Sequence, residues 1–258
     1  MREFLDDVHK HTDAGYGRAQ ALDKKQLAKR FYKKVSIGER DGLFSIELDG
    51  RGTKTPGKVP VLVPSRKLAQ LIADEWAAQE THIEAHAMPM VRLVNSAIEG
   101  GAGVVEALRA EIIKYAGNDL LLFRAESPRE LVKMQEQHWD VVLTGLARQF
   151  GIKFHPVIGI VHHDQPQNTI AELAKSLEEA DHFALAALVS ITGLTGSGLL
   201  AIALRGGLIN GPDSWAAAHV DEDYNAKMWG ADTQALARRQ QRRYEFDAAI
   251  TLLKLVES

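Results

Sequence analysis

Cysteine is absent from the 258-residue chain. That removes thiol nucleophiles, disulfide frameworks and every thiolate zinc site. It fits a reducing compartment, and a cytoplasmic protein is the expectation. Excess positive charge is missing too. The formal net charge is −3, so no global field exists to hold a nucleic-acid backbone. Arg238, Arg239, Arg242 and Arg243 are the densest basic run, and their helical spacing suits a solvated face. The opening MREFLDDVHKHTDAG lacks the charged-then-apolar order of a secretory signal, and its acids argue against a mitochondrial presequence. The uncharged run 183–204 is long enough for a membrane span. However, Gly193, Thr195, Gly196, Ser197 and Gly198 make its centre turn-like. Two short buried helices joined at a glycine turn are expected, without membrane insertion.

The usual catalytic signatures are also missing or broken. Gly52-Thr53-Lys54-Thr55-Pro56-Gly57-Lys58 nearly spells a phosphate loop, but Val59 stands where the magnesium-binding hydroxyl belongs. The residues that follow read as a strand rather than a helix N-terminus, so a hairpin turn is expected. The 193–198 glycine run precedes a helix, whose amides could hold an anion. Without a following lysine it reads as a helix–helix connection. His82 and His86 frame Glu84 as H-I-E-A-H rather than the H-E-x-x-H of zinc proteases. His162-His163-Asp164 is adjacent rather than spaced and reads as a polar strand end. Neither a nucleophile elbow nor a dinucleotide fingerprint occurs, so no catalytic, metal or cofactor site is expected.

What is present suits a globular protein, with 45% hydrophobic and 25% charged residues. A chain of this length buries a core without staples. Residues 1–28 read as a polar leader. From Phe31 to Ser65, β-branched and aromatic residues alternate with glycine and proline, a pattern of short strands and turns. Asp41-Gly42 and Asp49-Gly50 are the strongest hairpin signals. Ser65 is a helix cap, and Leu68, Leu71, Ile72 and Trp76 recur at helical spacing to about residue 80. Past Met88-Pro89-Met90 the chain turns mainly helical. Ser127-Pro128-Arg129-Glu130 reads as a capping box, opening a helix that Gly151 ends. Residues 152–163 read as a strand or extended arm. Further helices are expected at 168–180, 182–192, 197–205, 213–229 and 232–256. The fold class is therefore α+β: a small β-rich N-terminal domain, 29–95, and a larger, mostly helical C-terminal domain, 96–258.

The most informative stretch is 214–230. On one continuous helix, Trp215, Glu222 and Trp229 share a face, and Ala217, Val220, Tyr224 and Met228 take the opposite one. A helix apolar on two sides is either sandwiched inside the protein or offers one side to a partner. Glu222 then lies in an apolar stripe, where an unpaired carboxylate is costly. Its mate belongs either to this chain or to another.

These residues carry a resemblance. The blocks are Lys29-Arg30-Phe31-Tyr32-Lys33, Asp49-Gly50-Arg51, Lys54-Thr55-Pro56 and Glu75-Trp76 with Gln79. Met88-Pro89 follows with Leu93, Asn95 and Ala97-Ile98, then Asp119-Leu120-Leu121 with Arg124-Ala125, and Gln135 with Trp139-Asp140. Asp221-Glu222-Asp223-Tyr224 with Trp229-Gly230 completes the set. In this order, over 29–255, the sequence resembles the assembly-chaperone family that cares for the alpha subunit of the ATP synthase catalytic head, known from mitochondria and alpha-proteobacteria. Val91 and Phe123 depart from the family's usual threonine and tyrosine. The resemblance implies a cofactor-free binding protein that is not an enzyme and is monomeric when free. As a holdase it keeps the alpha subunit from aggregating until beta subunits displace it. The family's important late glutamate matches Glu222, flanked by Asp221 and Asp223, with Trp215 and Trp229 as further client-binding candidates. Trp76, Pro89, Asn95, Asp119, Arg124 and Trp139 are motif positions, with Trp76 expected to pack in the core. The rival functions are a small-molecule enzyme with a pocket around Glu222, a peripheral membrane protein using 183–204, and a generic interaction scaffold.

Overall fold

The computed structural model describes residues 27–257. The expected leader, 1–28, lies outside these except for Leu27 and Ala28. The first half of the fold follows from turn chemistry. Strand β1 (Val35–Arg40) and strand β2 (Leu43–Leu48) pair antiparallel from Val35 opposite Leu48 to Arg40 opposite Leu43. Asp41 and Gly42 both take positive φ, 53° and 76°, between them. Asp49 and Gly50 repeat the device at 50° and 79° before β3 (Arg51–Gly52). Such two-residue turns match the strand twist. Strand β4 (Leu62–Val63) adds to the other side of β2. Between β3 and β4 the near-phosphate loop is a tight turn, with Thr55 N to Val59 O and Lys58 N to Thr55 O both at 2.8 Å.

Helix α1 (Arg66–Ala77) starts as expected at Ser65, whose hydroxyl accepts from Leu68 N at 3.2 Å. It lays Leu68 and Ile72 over Ile46 and Val63 in the buried core. Trp76 sits at its far end, edge-on to Tyr32 with ring centroids 5.6 Å apart, and packs against that core. Glu75 reaches from α1 to helix α2 (Pro89–Gly100), accepting from Met90 N at 2.9 Å and Val91 N at 2.8 Å. It thereby caps the exposed amides that α2 has no side chain of its own to satisfy. Burial pushes the Glu75 carboxyl up to about 7, against the pull of those two amides. Pro89 is the buried first residue of α2, and Asn95 is half-buried along it.

Helix α3 (Val105–Gly117) packs on both α7 (His182–Thr195) and α8 (Gly198–Arg205), α5 (Val141–Phe150) packs on α8, α6 (Gln167–Lys175) backs α3, and α4 (Arg129–Gln135) leads into α5 through residues 136–140. All but two residues of α7 are buried, as a helix apolar all round must be. Residues 183–204 thus form two buried helices at a glycine turn, and no helix among the described residues is long and apolar enough to cross a membrane. Gly196, at φ +71°, supplies the left-handed cap. At Gly198 an added Cβ would lie 2.3 Å from Ile112 O and 2.8 Å from Ala116 N, so only glycine lets α8 cross α3 this closely.

Two expectations are corrected. Ser127 is not a helix cap: Pro128, extended at φ −76° and ψ 161°, holds that position without a side-chain capping bond. The Pro128 carbonyl accepts the first helical bond, from Val132 N at 3.2 Å, so the helix starts one residue later than the capping box requires. The helix to Gly151 is also not uniform, because Glu136–Asp140 between α4 and α5 is a π turn. The 152–163 arm contributes only β6 (Val157–Ile158), paired parallel with β5 (Phe123–Arg124). His162 beyond it meets Asn118 at 2.8 Å and Asp164 at 3.0 Å. Glu84 lies 3.5 Å from His86 at the start of an exposed 3-10 turn, Ala85–Ala87.

Candidate functional site

The late acidic block lies where two helices meet. Helix α9 (Gly211–Ala218) is capped by Asn210, which accepts from Asp213 N at 2.9 Å. At His219 the backbone leaves helical geometry, with φ −119° and ψ 18°. Helix α10 (Val220–Trp229) starts afresh, and Asp221, Glu222 and Asp223 fill its first turn. Three carboxylates there oppose the positive end of the helix dipole. Gly230–Asp232 leads to α11 (Thr233–Val256), capped by Asp232 on Gln234 N and Ala235 N.

The single helix expected over 213–229 is therefore two, and the shared face dissolves. Trp215 is buried at 7% exposure, ring to ring with His219 at 4.0 Å and with Phe246 at 5.1 Å. Trp229 is 78% exposed, and the Glu222 side chain is 59% exposed rather than set in an apolar stripe. Ala217, Val220 and Tyr224 do take the buried side, but Met228 is exposed. The break at His219 rotates α10 so that its acids meet solvent.

The three acids have different partners. Asp221 Oδ1 accepts from Gln135 Nε2 at 2.9 Å. Asp223 pairs with the Arg239 guanidinium on α11. Glu222 Oε2 lies 3.9 Å from His219 Nε2, beyond hydrogen-bond reach. Since His219 Nδ1 is 2.7 Å from the Trp215 carbonyl, that nitrogen carries the hydrogen. Nε2 is then a bare lone pair facing a carboxylate, buried with no donor among the described residues. Burial lowers the His219 pKa, with the Trp215 carbonyl and Glu222 opposing.

A platform holds this corner. Trp139, on the π turn, is fully buried and donates through Nε1 to Ala217 O at 2.8 Å. Arg124 lies 5.1 Å over the Trp139 ring, donates to Leu121 O at 3.0 Å, and pairs with Asp140 at 2.7 Å. Lys227 of α10 pairs with Glu130 of α4. Beside the acids, the α10–α11 junction exposes Met228, Trp229 and Leu236, and residues 230–238 are exposed throughout.

Asp119 stands apart from this corner. It is wholly buried, with the Ser197 hydroxyl at 2.7 and 2.9 Å, Leu199 N at 2.9 Å and Leu121 N at 3.2 Å. It fills the anion position at the start of α8 that the glycine turn suggested. Burial pushes its carboxyl up to about 7 despite those donors. Among the described residues, no group of three or more His, Cys, Asp or Glu could hold a metal ion.

The architecture is that of a class of chaperones, as the comparisons show. The model of the ATP12 chaperone protein family matches residues 29–147. The crystal structure of Atp12 from Paracoccus denitrificans superposes with a TM-score of 0.80 at 33% identity, covering 88% of this chain and 98% of that one. The Atu1473 protein of Agrobacterium tumefaciens reaches a TM-score of 0.85 at 41% identity over 98% and 96% of the two chains. The mitochondrial protein atp12 of Schizosaccharomyces pombe is 26% identical over 215 residues, 79% of this chain and 74% of its own. This chain belongs to the ATP12 chaperone family.

Sequence reasoning missed Gln135's contact with Asp221 and the break at His219. The break did have a signal, since three consecutive acids mark a first helical turn. The contact had none, because it spans 86 residues of sequence.

Proposed function

We propose that the protein is an ATP synthase assembly chaperone, a holdase that binds the alpha subunit of the catalytic head. It is not an enzyme, uses no cofactor, and acts in the cytoplasm as a free monomer that neither binds nucleic acid nor enters the membrane. Its 29–95 and 96–258 parts act as two domains. The client contact is the corner of α10 and α11: Glu222 with Trp229, supported by Asp221, Asp223 and the buried Trp215. The observation that carries this reading is an under-partnered, exposed carboxylate on the same helix as exposed Met228 and Trp229. Exposed apolar groups beside charge are the composition of an interface that must be both specific and exchangeable. An isolated subunit with bare apolar surface aggregates, and covering that surface prevents it. Beta subunits then displace the chaperone by burying more of the same surface, with no nucleotide hydrolysis required.

Co-expression with the cognate alpha subunit tests this. The soluble share of alpha rises when the chaperone is present. An equal share with and without it overturns the reading.

A further inference from the structure

The three acids of α10 stand side by side in sequence, yet the fold treats them differently, and one buried amide does much of the sorting. Gln135 is 2% exposed at the end of α4. Its Oε1 accepts from Ala125 N at 2.8 Å, and its Nε2 donates to Asp221 Oδ1 at 2.9 Å. The amide has only one workable orientation. A backbone N–H requires the oxygen, and a carboxylate requires the nitrogen. Ala125 directly follows β5, so Gln135 fastens the first turn of α10 to the chain leaving that strand. The π turn that follows Gln135 brings Trp139, four residues on, against Ala217 at the end of α9. Inserted turns of this kind recur where a helix must re-aim a side chain. Both sides of the break at His219 are thus held from one short segment.

We propose that Gln135 is a positioning residue for client binding. It holds Asp221 by a hydrogen bond while Arg239 takes Asp223, leaving Glu222 as the one carboxylate of the three with no hydrogen-bond donor among the described residues. This rests on the reading that the α10 corner binds the client. A glutamine is suited to the task because it satisfies a donor and an acceptor at once without adding charge. A glutamate of the same size keeps the Ala125 bond but sets a second carboxylate against Asp221. Repulsion then pushes the first turn of α10 outward and misplaces Glu222.

The test uses the full chain and the isolated alpha subunit. Gln135→Glu weakens binding about tenfold, the scale of one lost hydrogen bond to a charged group. Asp221→Asn alone sets the reference for losing that charge, since its amide oxygen still accepts from Gln135. In Gln135→Glu with Asp221→Asn the bond reforms with reversed polarity, and affinity returns to within about threefold of the Asp221→Asn reference. A general loss of fold gives no such rescue. Wild-type affinity in Gln135→Glu, or a double variant as weak as the single one, overturns the proposal. Glu222→Ala separates the two claims. If it binds alpha as tightly as wild type, the client site has been misplaced. Hydrogen exchange in the free protein then decides positioning alone. The amide of Asp223, bonded to His219 O at 2.8 Å, exchanges faster in Gln135→Glu and recovers in the double variant, whereas unchanged exchange overturns the role.

Discussion

Two helix starts in this molecule are lined with carboxylate, and they are opposite in character. At α8, Asp119 is sealed inside and meets three donors from its own chain. At α10, the acids face solvent, and Glu222 has no hydrogen-bond donor among the described residues. The physical device is the same: negative charge at the end of a helix where amides point outward. Where the chain supplies every partner, the device joins α3, α7 and α8 into a core. Where it leaves one partner out, an acceptor stays open to solvent, and the proposed client contact falls there. Position in the fold, not residue type, separates a sealed acid from an open one.

The comparison is broken most forcefully from the inside. Asp119→Ala strands the Ser197 hydroxyl and the Leu199 and Leu121 amides, and lowers unfolding free energy by about 3 kcal/mol or more. Urea denaturation measures it, and a loss below about 1 kcal/mol would remove Asp119 from its structural role. Titration comes next. Burial raises both Asp119 and Glu75 to about 7, from ordinary values of 3.8 and 4.5. Between those limits the folded chain binds more protons than the unfolded one. Stability therefore falls as pH rises from about 4 to 7 and levels off above. Urea midpoints across that range check the slope, and Glu75→Gln reduces it.

Trp139→Phe tests the platform between the two sites. It leaves Ala217 O without its donor and costs about 1–2 kcal/mol, read from the thermal midpoint. The smallest effect on stability belongs to the outer site. Glu222→Ala shifts unfolding free energy by about 0.5 kcal/mol or less, yet cuts recovery of soluble alpha subunit on co-expression. A large fall in its thermal midpoint would place Glu222 with Asp119 rather than apart from it.

Local signals carried most of the fold. Asp-Gly pairs, the Ser65 cap, the Gly151 stop and the glycine turn at 196 each dictate backbone geometry within a few residues, and all are observed. The capping box at Ser127 failed because proline took the cap one position later. The stripe linking Trp215, Glu222 and Trp229 failed for a similar reason. Helical periodicity assumes an unbroken helix, and a single residue at φ −119° shifts every later side chain to a new face. Glu222 is marked as a candidate both by its supposed apolar setting, which the structure does not show, and by the resemblance. What no local signal contained was the sorting of three adjacent acids, since Gln135 and Arg239 reach them from distant elements.

Helix α11 has two unlike ends. From Phe246 to Leu253 it is locked into the core against α7, while residues 233–238 touch little besides solvent. The free end is secured by its Asp232 cap and, about two turns further, by the Arg239 pair with Asp223. A helix end without side-on packing frays at little cost, whereas its buried end opens only with the whole protein. One continuous rod therefore combines a fixed root with a tip that can unwind and rewind by a turn or two. Such a tip changes shape without disturbing the body that holds it.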